Sequence, residues 1–177
     1  MTGVLPDPAR STEPLDYQNL AQPIGAMAKS FADGFEIELH HHDRDQLLYA
    51  IRGVMLLRTD RAAWVVPPDR AVYIPATVPH TVSMYGDVEM RTLYIDAEAT
   101  PVRDRTLRVH AVSGLLRELI LALSEEPVSY GDGSRGDYLA KLITSEIERA
   151  ANLSLGTPLP RDQRVQRVEG SGRRRVG

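Results

Sequence analysis

His40 and His42 stand two residues apart, Gln46 follows four further on, and His80 comes directly after a Pro75-Ala76-Thr77-Val78-Pro79 turn. Side chains two apart on a β-strand point to the same face, so His40 and His42 can converge on one point. Three neutral imidazoles supply three of the four positions of a tetrahedral metal site, and Gln46, water or a bound effector can take the fourth. An amide carries no charge, so an ion held by this set keeps its whole double positive charge and attracts an anionic ligand. The same amide argues against an iron oxygenase, which presents two His and one carboxylate. The cofactor expected is one divalent metal, with zinc or nickel first. A metal-free reading stands beside it, a polar cavity in which the histidines hydrogen-bond one another, Gln46, tyrosines or water.

The strand pattern leaves one ambiguity. On a straight strand Glu36 and Glu38 share the face of His40 and His42, whereas Phe35, Ile37 and Leu39 share the face of His41. Either the carboxylates enter the pocket, or a bulge near His40 shifts the register and makes His41 the ligand in place of His40. His40 and His42 are preferred.

These side chains need strands to carry them. From about Ile24 to Val112 the chain consists of short runs rich in β-branched and aromatic residues, broken by turn signals such as Asp33-Gly34, Gly53 and Tyr85-Gly86-Asp87. Strands are predicted over 35–40, 46–51, 54–59, 62–66, 71–74, 80–84, 88–95 and 107–112, which gives a β sandwich or barrel. Tyr49, Trp64, Tyr73 and Tyr94 are candidates to line an effector pocket, against the alternative that they belong to the core.

The period then changes. After a Ser113 cap, Leu115, Leu116, Leu119, Ile120 and Leu123 form one apolar stripe, and beyond Gly131-Asp132-Gly133 the residues Tyr138, Leu139, Leu142, Ile143 and Ile147 form a second. Two helices packed as an antiparallel hairpin follow, with Leu115, Leu116, Leu119, Ile120, Leu123, Leu142 and Ile143 as the expected dimerisation surface of a homodimer. The chain thus divides into a proline-rich N-terminal arm (1–23), a β domain (24–112), a helical hairpin (113–151) and a basic linker or tail (152–177).

Composition excludes several classes. With 177 residues, 42% hydrophobic and 25% charged, there is room for one domain with a substantial core. There is no cysteine, which removes disulfides, thiolate metal sites and cysteine nucleophiles. The formal charge of -3 conceals a +4 excess over residues 161–177, so the remaining body is acidic and gives no electrostatic footprint for nucleic acid. The tail around Arg173, Arg174 and Arg175 reads as a solvated linker before a phosphate contact. No signal segment and no membrane-length apolar run is present, so a cytoplasmic location is expected, without membrane contact.

Gly34, His40, His42, Gln46 and Gly53 resemble the first cupin motif at every spacing, with Gln46 standing where that motif has Glu. Pro75 and His80 match part of the second motif, while Asp69, Thr77 and Met84 replace its Gly, Gly and Asn. The wider text looks like the N-terminal sensor domain of AraC-type transcription regulators over roughly residues 20–168. It includes Gln46-Leu47-Leu48-Tyr49, Trp64-Val65-Val66-Pro67-Pro68, Tyr73-Ile74-Pro75 and the Pro158-Leu159-Pro160-Arg161-Asp162 segment. That resemblance implies a mainly β fold, a cupin double-stranded β-helix or jelly-roll barrel followed by the helix pair. It also implies a small-molecule or metal effector, and DNA contact only through a helix-turn-helix domain for which the residues after Ala151 leave no room. A ligand- or metal-sensing, dimerising and non-enzymatic module is expected. The alternative is a small metal-dependent cupin enzyme, a dioxygenase or isomerase.

Overall fold

The computed structural model describes residues 10–153. The first nine residues of the expected arm and the basic tail from 154 onward, with its Pro158–Asp162 segment, lie outside the described residues. The elements run β1 (Ile24–Phe31), β2 (Glu36–His40), β3 (Asp45–Arg58), β4 (Ala63–Val66), β5 (Arg70–Ile74), β6 (His80–Ile95), β7 (Arg108–Ala111), α1 (Gly114–Ser124) and α2 (Arg135–Leu153). A short 3-10 turn, Pro14–Tyr17, precedes them.

All strand pairs are antiparallel. The pattern predicts two strands over 46–59 and two over 80–95, but each pair is one long strand, because the turn residues Gly53 and Gly86 bend the ladder without ending it. Both have positive φ, +77 and +71. A Cβ on Gly53 would lie 2.6 Å from the Asp87 carbonyl oxygen, so the crossing of β3 and β6 admits no side chain there. The bend divides the sheet into two leaves. In one, the order is β1, the second half of β6, the first half of β3, β5 and β7; in the other, β2, the first half of β6, the second half of β3 and β4. β1 is not among the predicted strands, because Gly25, Ala26 and Ala28 dilute its β-branched signal.

Alternation along the strands sorts the core into two clusters. Met27, Leu48, Ala50, Val72, Ile74, Met90 and Tyr94 from the first leaf meet Met55, Leu57, Val66, Val82 and Met84 from the second, forming the interior between the leaves. The opposite face of the first leaf, with Ile24, Leu47, Tyr49, Ala71, Tyr73 and Leu93, is covered by the helices through Leu116, Leu119, Ile120, Leu123, Ala140, Ile143 and Ile147. Burying such large apolar side chains stabilises the fold by roughly 1.5–3 kcal/mol each, which is why the helix pair docks. Ser113 caps α1 as its position suggests, its hydroxyl accepting the Leu116 N–H at 3.0 Å.

This packing divides the expected dimerisation residues. Leu116, Leu119, Ile120, Leu123 and Ile143 are spent inside the chain's own core. Leu115 and Leu142 stay about half exposed, together with Tyr138 one turn before Leu142. Among the described residues no helix is long and apolar enough to cross a membrane.

Candidate metal centre

The three imidazoles of His40, His42 and His80 meet at one end of the space between the leaves. Their ring centroids lie 4.9 Å apart for His40 and His42, 4.3 Å for His40 and His80, and 5.6 Å for His42 and His80. One ring nitrogen from each falls within 4.8 Å of the others. His40 ends β2 directly opposite His80, which opens β6.

A β-bulge produces this meeting. Ile37 pairs with Val82 and faces the interior, yet His40, three residues on, also faces inward, because the register shifts between them. The bulge sits before His40 rather than at it. His40 stays in place and His41 is exposed, while Glu36 and Glu38, also exposed, join His41 in the lining of the cavity, and the Glu36 carboxylate accepts the Ser83 hydroxyl, which itself accepts from Arg58. The alternation alone allowed two outcomes, and the position of the extra residue selects His40 with His42.

The second half of each histidine's chemistry is set by the backbone. His40 Nδ1 lies 2.7 Å from the Glu38 carbonyl oxygen, and His80 Nδ1 lies 2.9 Å from that of Val78. A carbonyl only accepts, so each of these Nδ1 atoms carries a proton, and Nε2 is the nitrogen left to meet a ligand. The Nε2 atoms of His42 and His80 are buried without a hydrogen-bond partner, and so is Oε1 of Gln46. Gln46 Nε2 donates to Thr92 Oγ1 at 3.0 Å. Buried acceptors with no donor opposite them cost free energy unless something electrophilic meets them.

Burial, with the imidazoles of His40, His80 and His41 adding to it, pushes His42 down to about 3. His80 is lowered to about 4, again chiefly by burial, against the opposing effect of the Val78 carbonyl. Both rings are thus neutral at pH 7. Three converging imidazoles, two with Nδ1 engaged by the backbone and two with Nε2 buried without a partner, fit a divalent ion.

Beyond the histidines a cavity of about 500 Å³ opens between the leaves. Its walls are mostly apolar, with Met27, Phe31, Ile37, Leu48, Val82 and Met90 among them, and Lys29 joins Leu15 and Phe35 in its lining. Tyr94 lines it too, edge-on to His42 at 5.0 Å and stacked on Tyr17 at 5.5 Å. The other aromatic candidates lie elsewhere. Tyr49 and Tyr73 belong to the core beneath the helices, and Trp64 packs half-buried on the second leaf without reaching the cavity. Tyr49 and Tyr73 sit at strand positions of the opposite parity to the cavity face, whereas Trp64 shares the inner face with Leu57 and Val66 and lies off the cavity lining, distinctions that aromatic character alone does not carry.

Arg44 is a functional neighbour that sequence reasoning missed. Its buried guanidinium donates to the carbonyls of Gln18, Leu20, Gln22 and Pro23, and Gln18 Oε1 accepts the amides of Asp43 and Arg44. The segment before β1 is thereby fastened two residues from His42. An arginine in a charged loop reads as solvated, and nothing in its spacing marks it as a clamp.

Residues 30–96 match the family described as the cupin domain. Over 130 residues, 72% of this chain, the sequence is 28% identical to the HTH-type transcriptional regulator NimR of Escherichia coli strain K12, and the chain spans 46% of that regulator's length. In fold it is similar to ToxT from Vibrio cholerae, with a TM-score of 0.53 at 8% identity over 80% of this chain and 61% of the other. It is also similar to unsaturated fatty acid-bound wild-type ToxT from strain SCE256, with a TM-score of 0.54 at 10% identity over 76% and 57%. The chain thus has a cupin fold, mainly antiparallel β with two helices following the sheet, and its sequence is homologous to part of an HTH-type regulator.

Proposed function

We propose that this chain is the sensory and dimerising part of an AraC-type transcription regulator. In this reading one divalent ion, zinc or nickel first, is held by His40, His42 and His80 with Gln46 beside them, and a small effector occupies the adjoining cavity. The observation that carries the reading is the convergence of three histidine ring nitrogens, with buried unpartnered atoms on His42, His80 and Gln46, beside an apolar cavity, the combination a small-molecule site needs for affinity and orientation. An ion bound by neutral donors supplies an attractive point for an anionic group of the effector. The apolar walls then take an apolar body.

Transmission has a physical route. His42 touches Tyr94, Tyr94 stacks on Tyr17, and Tyr17 belongs to the segment fastened by Arg44. An effector that binds one arrangement of this segment better than another shifts its population, and by no more than that difference in affinity. Homodimerisation falls to the exposed Leu115, Tyr138 and Leu142 on the helices, and reading of DNA to a helix-turn-helix part outside this chain. The reading is non-enzymatic: among the described residues no carboxylate belongs to the histidine cluster, and the Glu36 carboxylate accepts the Ser83 hydroxyl.

The test is elemental analysis of protein purified without an affinity metal, followed by titration with zinc and nickel. Stoichiometric binding lost in both His42→Ala and His80→Ala supports the site; metal content unchanged in both rejects it. Turnover of candidate diketones or phenols with oxygen uptake would promote the enzyme reading instead.

A further inference from the structure

We infer that Asp45 is a positioning residue for His80, a side chain outside the ligand set that decides whether the third imidazole reaches the cluster. The inference rests on the metal reading above and concerns only how the chain builds that site.

Asp45 is fully buried at the start of β3. Its Oδ1 accepts the Ala76 amide at 2.7 Å and the Arg105 guanidinium at 2.9 Å, and its Oδ2 accepts the Tyr73 hydroxyl at 2.6 Å. Ala76 opens the loop that delivers His80. The next amide, Thr77, donates to the His42 carbonyl at 2.8 Å, and Thr77 has φ +66, a conformation a non-glycine residue keeps only where neighbours fix it. Val78, next again, is held by its own amide to Pro75 and supplies the carbonyl that takes the His80 Nδ1 proton. Two successive amides thus tie the loop to the strand side of the site, one of them to a carboxylate and the other to the backbone of a ligand residue.

Releasing Ala76 allows Thr77 to relax, moves the Val78 carbonyl, and removes the acceptor that fixes which nitrogen of His80 is bare. The carboxylate therefore acts on the site through the loop. Tyr73 and Arg105 engage the same carboxylate without touching that loop, which separates positioning from general stability.

The experiment measures zinc affinity by competition with a chromophoric chelator, folding by denaturant titration, and the His80 ring by nitrogen chemical shifts, all in the full chain. Removal of partners that orient metal ligands weakens binding about 10–100-fold. Asp45→Ala is expected to fall in that range and to scramble the His80 tautomer. Asp45→Asn, which keeps an oxygen for the Ala76 amide, is expected to bind within about threefold of wild type, and Tyr73→Phe to lose stability while keeping affinity. In unmutated protein, zinc is expected to slow hydrogen exchange at the Ala76 amide, since coupling between ion and loop is reciprocal. That measurement decides the matter even if Asp45→Ala does not fold. Wild-type protein that binds neither zinc nor nickel overturns the metal reading and this inference together. Zinc-binding wild type with indifferent Ala76 exchange, or a folded Asp45→Ala of equal affinity, overturns this inference alone.

Discussion

The hydrogen bond from Gln46 Nε2 to Thr92 Oγ1, 3.0 Å long and buried, decides which end of this cavity-lining amide is left without a partner. Thr92 Oγ1 in turn donates to the Leu47 carbonyl, so its hydroxyl proton is engaged and it can only accept from the amide. Oε1 is left buried without a donor. Gln46→Glu is expected to tighten zinc binding at least about tenfold, equivalent to about 1.4 kcal/mol, because a carboxylate adds a full negative charge to an otherwise neutral donor set. Competition titration measures it, and equal or weaker affinity would show that position 46 does not face the ion.

Acid should destabilise the metal-free protein in a defined window. The folded values of His42, about 3, and of His80 and His110, about 4, lie below the ordinary 6.5. The unfolded chain therefore takes up protons that the folded chain refuses. The stability these groups contribute is complete above about pH 6.5 and is lost as pH falls toward 4, at up to about 1.4 kcal/mol per pH unit for each histidine. Both ring nitrogens of His110 are buried without a partner, so His110→Phe removes one proton from this slope without breaking a bond. Urea titrations of chelator-treated protein between pH 5 and 7.5 read the difference, and an unchanged slope counts against the burial argument.

Arg44→Ala should release the segment before β1. The guanidinium serves four carbonyls and lies 3.6 Å from Asp96, and its own burial leaves no water to replace them. A loss of about 3 kcal/mol is expected, in the range for hydrogen bonds to a charged group. Limited proteolysis should cut between residues 10 and 23 faster than in wild type. Unchanged cleavage would mean that the 3-10 turn and the Tyr17–Tyr94 stack suffice to hold the segment.

The helices allow association and folding to be tested apart. Leu142→Glu and Leu115→Glu replace half-exposed side chains and should change stability by about 0.5 kcal/mol or less, while shifting a homodimer toward monomer. Leu119→Glu buries a charge against the sheet and should unfold the chain. Sizing over a range of concentrations separates the outcomes; a wild type that stays monomeric at high concentration removes the dimer proposal.

The sequence carried the histidine cluster and the fold class further than it carried the walls of the site. The meeting of His40 and His42 is legible because side chains two apart in extended chain share a face, although His42 lies just past β2, and His80 is legible from the turn and partial second motif before it; the helix stripes are legible because their period is long enough to repeat. Met27 and Met90 were not, since a methionine facing a cavity and one facing a core look alike until strand parity is known. Parity itself was hidden at β2, where one extra residue between Ile37 and His40 undoes a simple alternation. Asp45 and Arg44 escaped for another reason: their partners lie in the loop before His80 and in the segment before β1, and pairing between distant backbone groups leaves no mark on local composition.

The extra residue in β2 also sets how the site answers to a change of length. A chain shortened by one residue between Ile37 and His40 would lose the bulge, keep the pairing of positions 40 and 80, and still deliver the ring at position 40 to the interior, now by plain alternation. Across relatives, then, the distance from the preceding inward apolar position to the His-x-His pair tolerates either of two lengths, and the shorter one needs no irregularity in the strand.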